Sequence, residues 1–490
     1  MLSALLGFSS LLHAPARAVC YRDCRTTLDN RTMIRLLEQL IAGIWNRLAG
    51  RRRGARFEGG SLDVGFRVVD DEVTRRRVTL TTQERMRHVV VLGKTGSGKS
   101  YLLRHMSEQD INKDRGFVYL DLHGDATPFL MRAINARERR EHRHLSDKLV
   151  LIDPSDPIMS VGLNPLEQES EDFVRIAEMA EILKRHWALD HFGARTDELL
   201  RNTLYALSAN GLTLVEIVPF LTNGAFRAAC LTKVPNADVR QYFELRYDRA
   251  SEAMQATMRE PILNKTSAFT ADPKFRHIVG QEHSSFSFRE AMDEGYWIIV
   301  NLSKGRLGVQ SLTLGSLIFT MAKNALFART SERLSTLYCD EIQNFVAQAG
   351  EIETVLSEAR KTRTGFVAAH QFLDQLPAEM RSALFSAGTH VFFQLSSADA
   401  TQVSQALDGG KPLAERLKNL HQRHAIVKSG ADRWAEVRIP DISSPKVDYI
   451  DLLNRVRYTR GRVRAHVERD IAKRREGFLS QHEGAIHDYE

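Results

Sequence analysis

The chain has 490 residues, of which 43% are hydrophobic and 26% are charged, and its net charge is +7. This balance is typical of a folded globular protein and excludes disordered, collagen-like and disulfide-rich chains. Four cysteines in such a length cannot form a disulfide framework, so we expect free thiols and a cytoplasmic location.

Residues 1–77 are interpreted as an amphipathic and basic N-terminal segment. The apolar run at 2–12 is too short for a membrane span, which needs about 20 apolar residues, and no positive residue precedes it as in a secretory signal. From Met33 to Leu48 apolar residues recur at helical spacing, and arginines follow. Such a helix either packs on a neighbouring domain or subunit or lies peripherally on the inner membrane.

Seven short apolar runs predict the strands of a sheet. They are rich in Val, Ile, Leu and aromatic residues without alternation, which indicates parallel strands buried on both faces. Helical patterns separate most of them, so the sequence predicts an α/β fold with a mostly parallel central sheet. The runs are Arg87–Leu92, Phe117–Leu122, Leu149–Asp153, Trp297–Leu302, Thr336–Asp340, Phe366–His370 and Val391–Leu395.

The interval 164–293 interrupts this order, because it has long helical patterns and almost no strand signal. We interpret it as an inserted all-α domain that divides the sheet domain into 78–163 and 294–440. Residues 441–490 are basic and helical and are expected to lie outside the core. Their arginines attract phosphate of nucleic acid or lipid, unless they form only a solvated helix face or a flexible tail.

A phosphate-binding loop follows the first predicted strand. The sequence GKTGSGKS at 93–100 matches G-x4-G-K-[ST] between a strand and a helix. Its glycines let backbone N–H groups converge on phosphate oxygens. Lys99 is predicted to contact the β- and γ-phosphates, and the Ser100 hydroxyl is predicted to bind Mg²⁺. The predicted residues for ATP and Mg²⁺ are Gly93, Lys94, Thr95, Gly96, Ser97, Gly98, Lys99 and Ser100.

A nucleotide site also needs an acid at the end of a neighbouring strand, to hold Mg²⁺ through water. Asp121, Asp153 and Asp340 each end a predicted strand, but only Asp340 is followed by a second acid. We predict that Asp340 holds the metal ion and that Glu341 orients and activates the attacking water. A surface turn is the alternative for this pair, and the other two aspartates are expected to accept local backbone hydrogen bonds.

Two later residues are candidates for contacts with the γ-phosphate. Gln371 follows the strand Phe366–His370 at the edge where ligands of parallel sheets bind, although it also suits a turn. Arg360 stands near the end of the predicted helix Glu351–Lys361, from where it could reach the nucleotide of a neighbouring subunit. The alternative for Arg360 is a cation that favours a helix C-terminus.

Several motifs together resemble the HerA/FtsK superfamily. They are GKTGSGKS, VYLDLHGD, VGLNPLE, WIIVNLSKGRLG, LYCDEIQNF, SEARKTRTG and GFVAAHQF, in the superfamily's order over residues 78–440. The sequence is most similar to type IV secretion coupling proteins of the TraD/TraG kind. The resemblance implies a RecA-like P-loop NTPase fold with an inserted all-α domain, in hexameric rings that use ATP to move DNA. By this resemblance, Lys99 and Ser100 correspond to the Walker A pair, and Asp340 and Glu341 correspond to the Walker B pair. Gln371 corresponds to the sensor glutamine, and Arg360 corresponds to the arginine that acts in trans.

The expected function is therefore an ATP-hydrolysing translocase of single- or double-stranded DNA, in conjugative transfer or DNA processing. Relaxosome and secretion-channel proteins are further candidate partners. Coupling proteins usually begin with a transmembrane pair, which is not visible here, so we expect a cytoplasmic or peripheral motor. The main alternative is a protein-remodelling or secretion ATPase without a nucleic-acid substrate. Another is a binding protein that uses ATP as an assembly switch, against which Glu341 argues.

Overall fold

The computed structural model describes residues 61–486, except 168–171, 188, 190–192, 347–348, 374–375 and 431–433. The predicted helix at 33–48, the apolar run at 2–12 and the first group of arginines lie outside the described residues. All described residues belong to one compact unit, Gly60–Glu490.

The strands of this unit form a large sheet and, among the described residues, one separate pair. The sheet contains β1 (Leu62–Val69), β2 (Glu72–Leu80), β3 (Val89–Leu92), β4 (Gly116–Asp121), β5 (Leu149–Ile152), β7 (Trp297–Asn301), β8 (Ser335–Cys339), β9 (Thr364–His370), β10 (Thr389–Phe392), β11 (His424–Ser429) and β12 (Ala435–Arg438). The pair is β6 (Met159–Val161) with β13 (Gly461–Val463). The sheet order is β2-β1-β12-β11-β10-β3-β9-β8-β4-β7-β5.

The strands from β10 to β5 in that order are parallel, and they correspond to the seven predicted runs. The α/β class with a mostly parallel central sheet is therefore confirmed. The sequence patterns miss β11, β12, β1 and β2, which extend the sheet in antiparallel pairing. Most of β2 is exposed and carries three consecutive arginines, Arg75 to Arg77, so it lacks an apolar run. The boundary placed after residue 77 falls inside this strand.

Helices separate the strands and cover the sheet. In chain order they are α1 (Thr82–Met86), α2 (Lys99–Asn112), α3 (Ala126–Glu141), α4 (Asp172–His186), α5 (Ala194–Ala209), α6 (Ile217–Thr222), α7 (Gly224–Leu231), α8 (Ala237–Gln241), α9 (Glu252–Thr270), α10 (Pro273–Val279), α11 (Phe288–Glu294), α12 (Lys304–Leu307), α13 (Gln310–Phe327), α14 (Ala349–Glu358), α15 (Ala378–Phe385), α16 (Ser397–Ala406), α17 (Gly410–Lys418), α18 (Ile450–Arg460) and α19 (Arg464–Ile486).

Consecutive residues of the central strands pack on opposite faces of the sheet. In β4, Val118 and Leu120 belong to the hydrophobic core on one face, and Phe117 and Tyr119 belong to the core on the other. All four side chains are at most 1% exposed. Because both faces are covered, the four residues between Gly116 and Asp121 are all aliphatic or aromatic, which explains the uninterrupted apolar run in the sequence.

In the interval 164–293, every regular element among the described residues is helical. Residues of these helices, such as Leu199, Phe220 and Phe275, share one hydrophobic core with a face of the sheet. Across the described helices, none is both long and apolar enough to cross a membrane alone; the segments Leu214–Thr222 and Gly224–Leu231, bent by 115°, satisfy that test only as a pair.

The expectation that residues beyond 441 lie outside the core is wrong. Leu452 and Val456 of α18 belong to the core on one face of the sheet, and Val467 and Ile471 of α19 belong to the core on the other. Several arginines of this segment form ion pairs with acids of preceding elements, namely Arg455 with Glu138, Arg457 with Asp156 and Arg474 with Glu216. Part of the C-terminal positive charge is therefore neutralised within the chain.

Candidate nucleotide site

The loop 93–100 joins the carboxyl end of β3 to the N-terminus of α2. The backbone N–H of Gly93 donates to the carbonyl of His370 at the end of β9 (3.2 Å), and that of Lys94 donates to the carbonyl of Gln394 (2.9 Å). The loop is thus anchored on both sides at the carboxyl ends of the two strands that flank β3. This is the edge of a parallel sheet where ligands bind.

Two glycines have local geometry that excludes a side chain. Gly98, the residue before α2, has φ of 127°, which L-residues rarely adopt. A Cβ atom at Gly93 would lie 2.6 Å from Cβ of Phe393, too close for any substitution without backbone movement. These positions explain why the pattern requires glycine where the loop bends toward the helix.

Lys99 is the first residue of α2 and is 5% exposed. Its Nζ donates to the carbonyls of Gly93 (2.7 Å) and Lys94 (3.2 Å). Burial lowers the pKa of Lys99, whereas the charges of Glu341 and Asp340 raise it. A buried ammonium beside the unpaired N–H groups of a helix N-terminus is an arrangement that binds phosphate.

Ser100 joins the loop to the first of the two predicted acids. Its Oγ donates to Oδ2 of Asp340 over 2.6 Å, and Asp340 is 4% exposed at the end of β8. Burial raises the pKa of Asp340, and the hydrogen bond from Ser100 lowers it. The second oxygen, Oδ1, is buried with no hydrogen-bond partner among the described residues.

These two side chains fit a magnesium site of the kind that shares its ion with a nucleotide. Mg²⁺ keeps several waters and uses one or two protein oxygens together with phosphate oxygens. The orphaned Oδ1 of Asp340 is a free acceptor for such a water. No group of three or more His, Cys, Asp or Glu in the described part of the chain could hold a metal ion alone. Ser100 and Asp340 would therefore hold the ion only with help from the nucleotide.

Glu341 is held by two amides, one on each carboxylate oxygen. Gln371 Nε2 donates to Oε1 (2.6 Å), and Gln343 Nε2 donates to Oε2 (2.8 Å). Gln371 Oε1 accepts from the Thr95 hydroxyl in the loop (2.9 Å), so the loop, the amide and the acid form one chain of hydrogen bonds. Glu341 is 4% exposed, and its φ of 58° lies in the left-handed region that non-glycine residues rarely adopt.

The structure therefore brings most of the predicted site residues together, with one exception. Arg360 is exposed on the turn after α14, outside the hydrogen-bond network of the loop. Its charge contributes to lowering the pKa of His88, the residue before β3. Arg360 precedes β9, which runs parallel to β3, whereas the loop follows β3. Arg360 therefore lies near the amino ends of the parallel strands, and the nucleotide loop of its own chain lies at their carboxyl ends.

Asp121 has the local backbone partners that the sequence predicts, whereas Asp153 combines one local partner with the distant side chain of Asn301. Asp121 accepts from the N–H groups of Gly124 (2.9 Å) and Thr127 (2.7 Å). Asp153 accepts from the N–H of Ser155 (2.8 Å) and from the amide of Asn301 (2.9 Å). Both carboxylates are thus occupied in holding turns and strand ends, which leaves Asp340 as the acid that faces the loop.

Sequence reasoning missed the residues that cover the loop from the segment before β11. Gln422 Nε2 donates to the carbonyl of Gly96 (3.1 Å), and the N–H of Arg423 donates to that of Ser97 (2.8 Å). The Arg423 guanidinium lies 5.4 Å from the ring centroid of Tyr101 in α2. No pattern in the sequence predicts these contacts, because β11 itself is not predicted and the contacts span more than 300 residues.

Residues 67–321 match the family model of the HerA helicase central domain, which is more than half of the chain. The chain belongs to this family. The predicted resemblance to the HerA/FtsK superfamily is thereby confirmed. None of the functionally curated proteins matches the sequence.

Solved structures of a plasmid coupling protein and of VirB4 share the fold of this HerA-type chain. The plasmid coupling protein TrwB in complex with GDPNP is 17% identical, with a TM-score of 0.53 over 81% of this chain and 99% of that one. TrwB in complex with ADPNP is also 17% identical, with a TM-score of 0.54 over 81% of this chain and 98% of that one. VirB4 of Thermoanaerobacter pseudethanolicus is 14% identical, with a TM-score of 0.52 over 79% and 99%. These matches confirm the RecA-like P-loop fold.

Proposed function

We propose that the chain is an ATP-hydrolysing motor that moves DNA and acts as a ring of identical subunits. The observation that carries the proposal is the hydrogen-bonded chain from Thr95 through Gln371 to Glu341. It connects a phosphate-binding loop to a carboxylate suited to activating water. A protein that only bound ATP would need the loop but not a buried acid aligned with it.

Each residue of the site has a distinct part in this reaction. The loop N–H groups and Lys99 bind the phosphates, and Ser100 and Asp340 would hold Mg²⁺, which supplies positive charge to the phosphate oxygens. Glu341 orients the attacking water and accepts its proton. Gln371, which contacts both Glu341 and the loop, would sense whether the γ-phosphate is present. The same residues bind ATP before hydrolysis and hold ADP after it.

The short helix α12 is the surface that we assign to the DNA backbone. It follows β7 at the same edge of the sheet as the nucleotide loop, and Lys304 and Arg306 are both exposed there. In the described part of the chain, neither side chain has an ion pair, in contrast to Arg455, Arg457 and Arg474. Unpaired cations can neutralise backbone phosphates and release counterions, so DNA binding should weaken steeply with salt.

The proposed setting is DNA transfer or processing at the cytoplasmic side of the inner membrane. TrwB, which shares the fold, is a plasmid and conjugative coupling protein, and this supports a coupling role with relaxosome or secretion-channel partners. The amphipathic pattern at 33–48 supports peripheral membrane contact. The neighbouring subunit of the ring would supply Arg360 to the nucleotide.

The test is ATP turnover of the full chain without DNA, with single-stranded DNA and with duplex DNA, over a series of salt concentrations. We expect stimulation by at least one DNA form, decreasing as salt rises. The variant K304A/R306A should lose stimulation, whereas R139A/R140A, which removes two exposed arginines of α3, should keep it. Stimulation by an unfolded polypeptide but by no DNA, even at low salt, would favour the protein-remodelling alternative and overturn the proposal.

A further inference from the structure

A second hydrogen-bonded chain reaches Glu341 from the side away from the loop. Gln343 Nε2 donates to Oε2 of Glu341 (2.8 Å), and Gln343 Oε1 accepts from Nδ1 of His370 (2.7 Å). Nε2 of His370 contacts the carbonyl of Phe372. The order His370, Gln343, Glu341 thus connects the last residue of β9 to the predicted general base.

The direction of the Gln343 amide is fixed by its two neighbours. The carboxylate of Glu341 accepts only, so the NH₂ group of Gln343 must face it, and the amide oxygen must face His370. Nδ1 of His370 therefore carries the proton of that contact. Because the carbonyl of Phe372 also only accepts, the contact at Nε2 is a second hydrogen bond only when the ring carries both protons. His370 is 1% exposed and Glu341 is 4% exposed, so water cannot readily replace either partner.

The side chain of Gln343 is not needed to close the turn in which it stands. Asn344 closes the turn instead, because its backbone N–H and its side-chain amide both donate to the carbonyl of Glu341, over 3.0 and 3.1 Å. The N–H of Phe345 donates to the carbonyl of Ile342 (3.0 Å). The Gln343 amide is thus free to serve Glu341, and its removal leaves the backbone bonds of the turn intact.

We propose that Gln343 is a positioning residue that directs the carboxylate of Glu341 at the attacking water, and that His370 holds Gln343 in the required orientation. The inference rests on the proposed function, since it assigns a partner to the residue that would activate water. Gln371 fixes one oxygen of Glu341 to the loop, and Gln343 fixes the other. Because each oxygen accepts from a different amide, the carboxylate of Glu341 is held in a single orientation.

The first test uses Q343M, which keeps the length of the side chain but removes its amide. We expect kcat for ATP to fall at least about tenfold, the effect of losing one hydrogen bond to a charged group. Binding of a fluorescent ATP analogue and the unfolding temperature should stay at wild-type values. H370L should act like Q343M, whereas H370N, whose amide nitrogen can occupy the place of Nδ1, should restore most of the rate.

A double-variant comparison separates positioning from a general structural effect. In an E341Q background the carboxylate is gone, so adding Q343M should reduce single-turnover hydrolysis no further. A further loss of the same size as in the wild-type background, or a fall in nucleotide affinity as large as the fall in kcat, would overturn the inference.

These measurements also distinguish the inference from the motor function. Basal ATP turnover without DNA is sufficient for every comparison of Gln343 and His370 variants. If DNA fails to stimulate a chain that hydrolyses ATP, the translocase proposal fails and the positioning role is still decided by Q343M. If the unaltered chain hydrolyses no ATP under any condition, both are overturned.

Discussion

Ser100 donates a hydrogen bond to Asp340 over 2.6 Å and so joins α2 to the end of β8 across the predicted magnesium position. A metal ion bound there should depend on both side chains. We expect S100A to weaken ATP binding at least about tenfold in the presence of Mg²⁺. In excess EDTA the variant and the wild type should bind ATP equally, as measured by equilibrium titration with a fluorescent analogue. Equal weakening with and without Mg²⁺ would show that Ser100 supports only the loop.

Glu341 should be needed for hydrolysis and not for binding. E341Q keeps the shape of the side chain but cannot accept a proton, so kcat should fall about 100-fold or more. ATP affinity should be retained, because phosphate contacts come from the loop and Lys99. The matched control is E353Q, an exposed glutamate of α14, which should turn over ATP at the wild-type rate. Wild-type turnover by E341Q would remove its assigned role.

The nucleotide site could be predicted where its chemistry is contiguous in the sequence. The loop at 93–100 and the pair Asp340–Glu341 each follow a buried apolar strand, so pattern and position agree. The contact between Gln343 and His370 could not be predicted, because 27 residues separate them and neither belongs to a phosphate-binding pattern. Its signal is visible only in retrospect, as an amide two residues after the general base.

The parts of the fold that the sequence did not predict correctly also have a physical explanation. The parallel strands are apolar throughout because both faces are covered, whereas β2 is an exposed edge strand with three arginines. A positive charge in a sequence does not indicate its partner, and Arg474 binds Glu216, which is 258 residues away. The C-terminal segment is basic in composition, yet it contributes buried side chains and internal ion pairs to the fold.

Arg329 should be a major contributor to stability near the turn that presents Arg360. It is 6% exposed, and its guanidinium binds Asp293 (3.0 Å) and the carbonyls of Thr362 (3.1 Å) and Arg333 (2.7 Å). R329M removes the buried cation from this ion pair and all of its hydrogen bonds, so the free energy of unfolding should fall by about 3–5 kcal/mol.

Urea denaturation of R329M measures this change. In the same experiment R333A, which removes an exposed arginine from the segment between α13 and β8, should alter the free energy of unfolding by less than about 0.5 kcal/mol. Similar small effects of both substitutions would mean that the acceptors of Arg329 find other donors in the folded protein.

His88 should make the fold sensitive to acid. Its Nδ1 accepts from the N–H of Phe366 (3.2 Å) and its Nε2 donates to the carbonyl of Leu356 (3.0 Å), an arrangement that requires the neutral ring. Burial and the charge of Arg360 together lower the pKa of His88 from 6.5 to about 4, although the hydrogen bond to Leu356 raises it.

Because the folded pKa of His88 lies below the unfolded one, the unfolded chain takes up the proton first as the pH falls. The contribution of His88 is thus fully present above pH 6.5 and is lost toward pH 4, by roughly 3 kcal/mol in total. Urea titrations between these pH values should show a smaller loss in H88N than in the wild type. H466N, at an exposed histidine of α19, should lose as much as the wild type.

Arg360 should act on the nucleotide of a neighbouring subunit, because it stands at the opposite edge of the sheet from its own loop. If so, R360A should lose ATP turnover at least about 100-fold. K361A removes the adjacent exposed cation, which pairs with Glu358, and should keep the wild-type rate.

Mixing two inactive variants tests whether this arginine acts in trans. A subunit with R360A retains Glu341, and a neighbour with E341Q retains Arg360, so an interface between them contains one complete site. ATP turnover should therefore return when the two proteins are mixed. It should not return when R360A is mixed with E341Q/R360A, which supplies no arginine. Restoration by both mixtures, or full activity of R360A alone, would show that Arg360 has no catalytic contact across the interface.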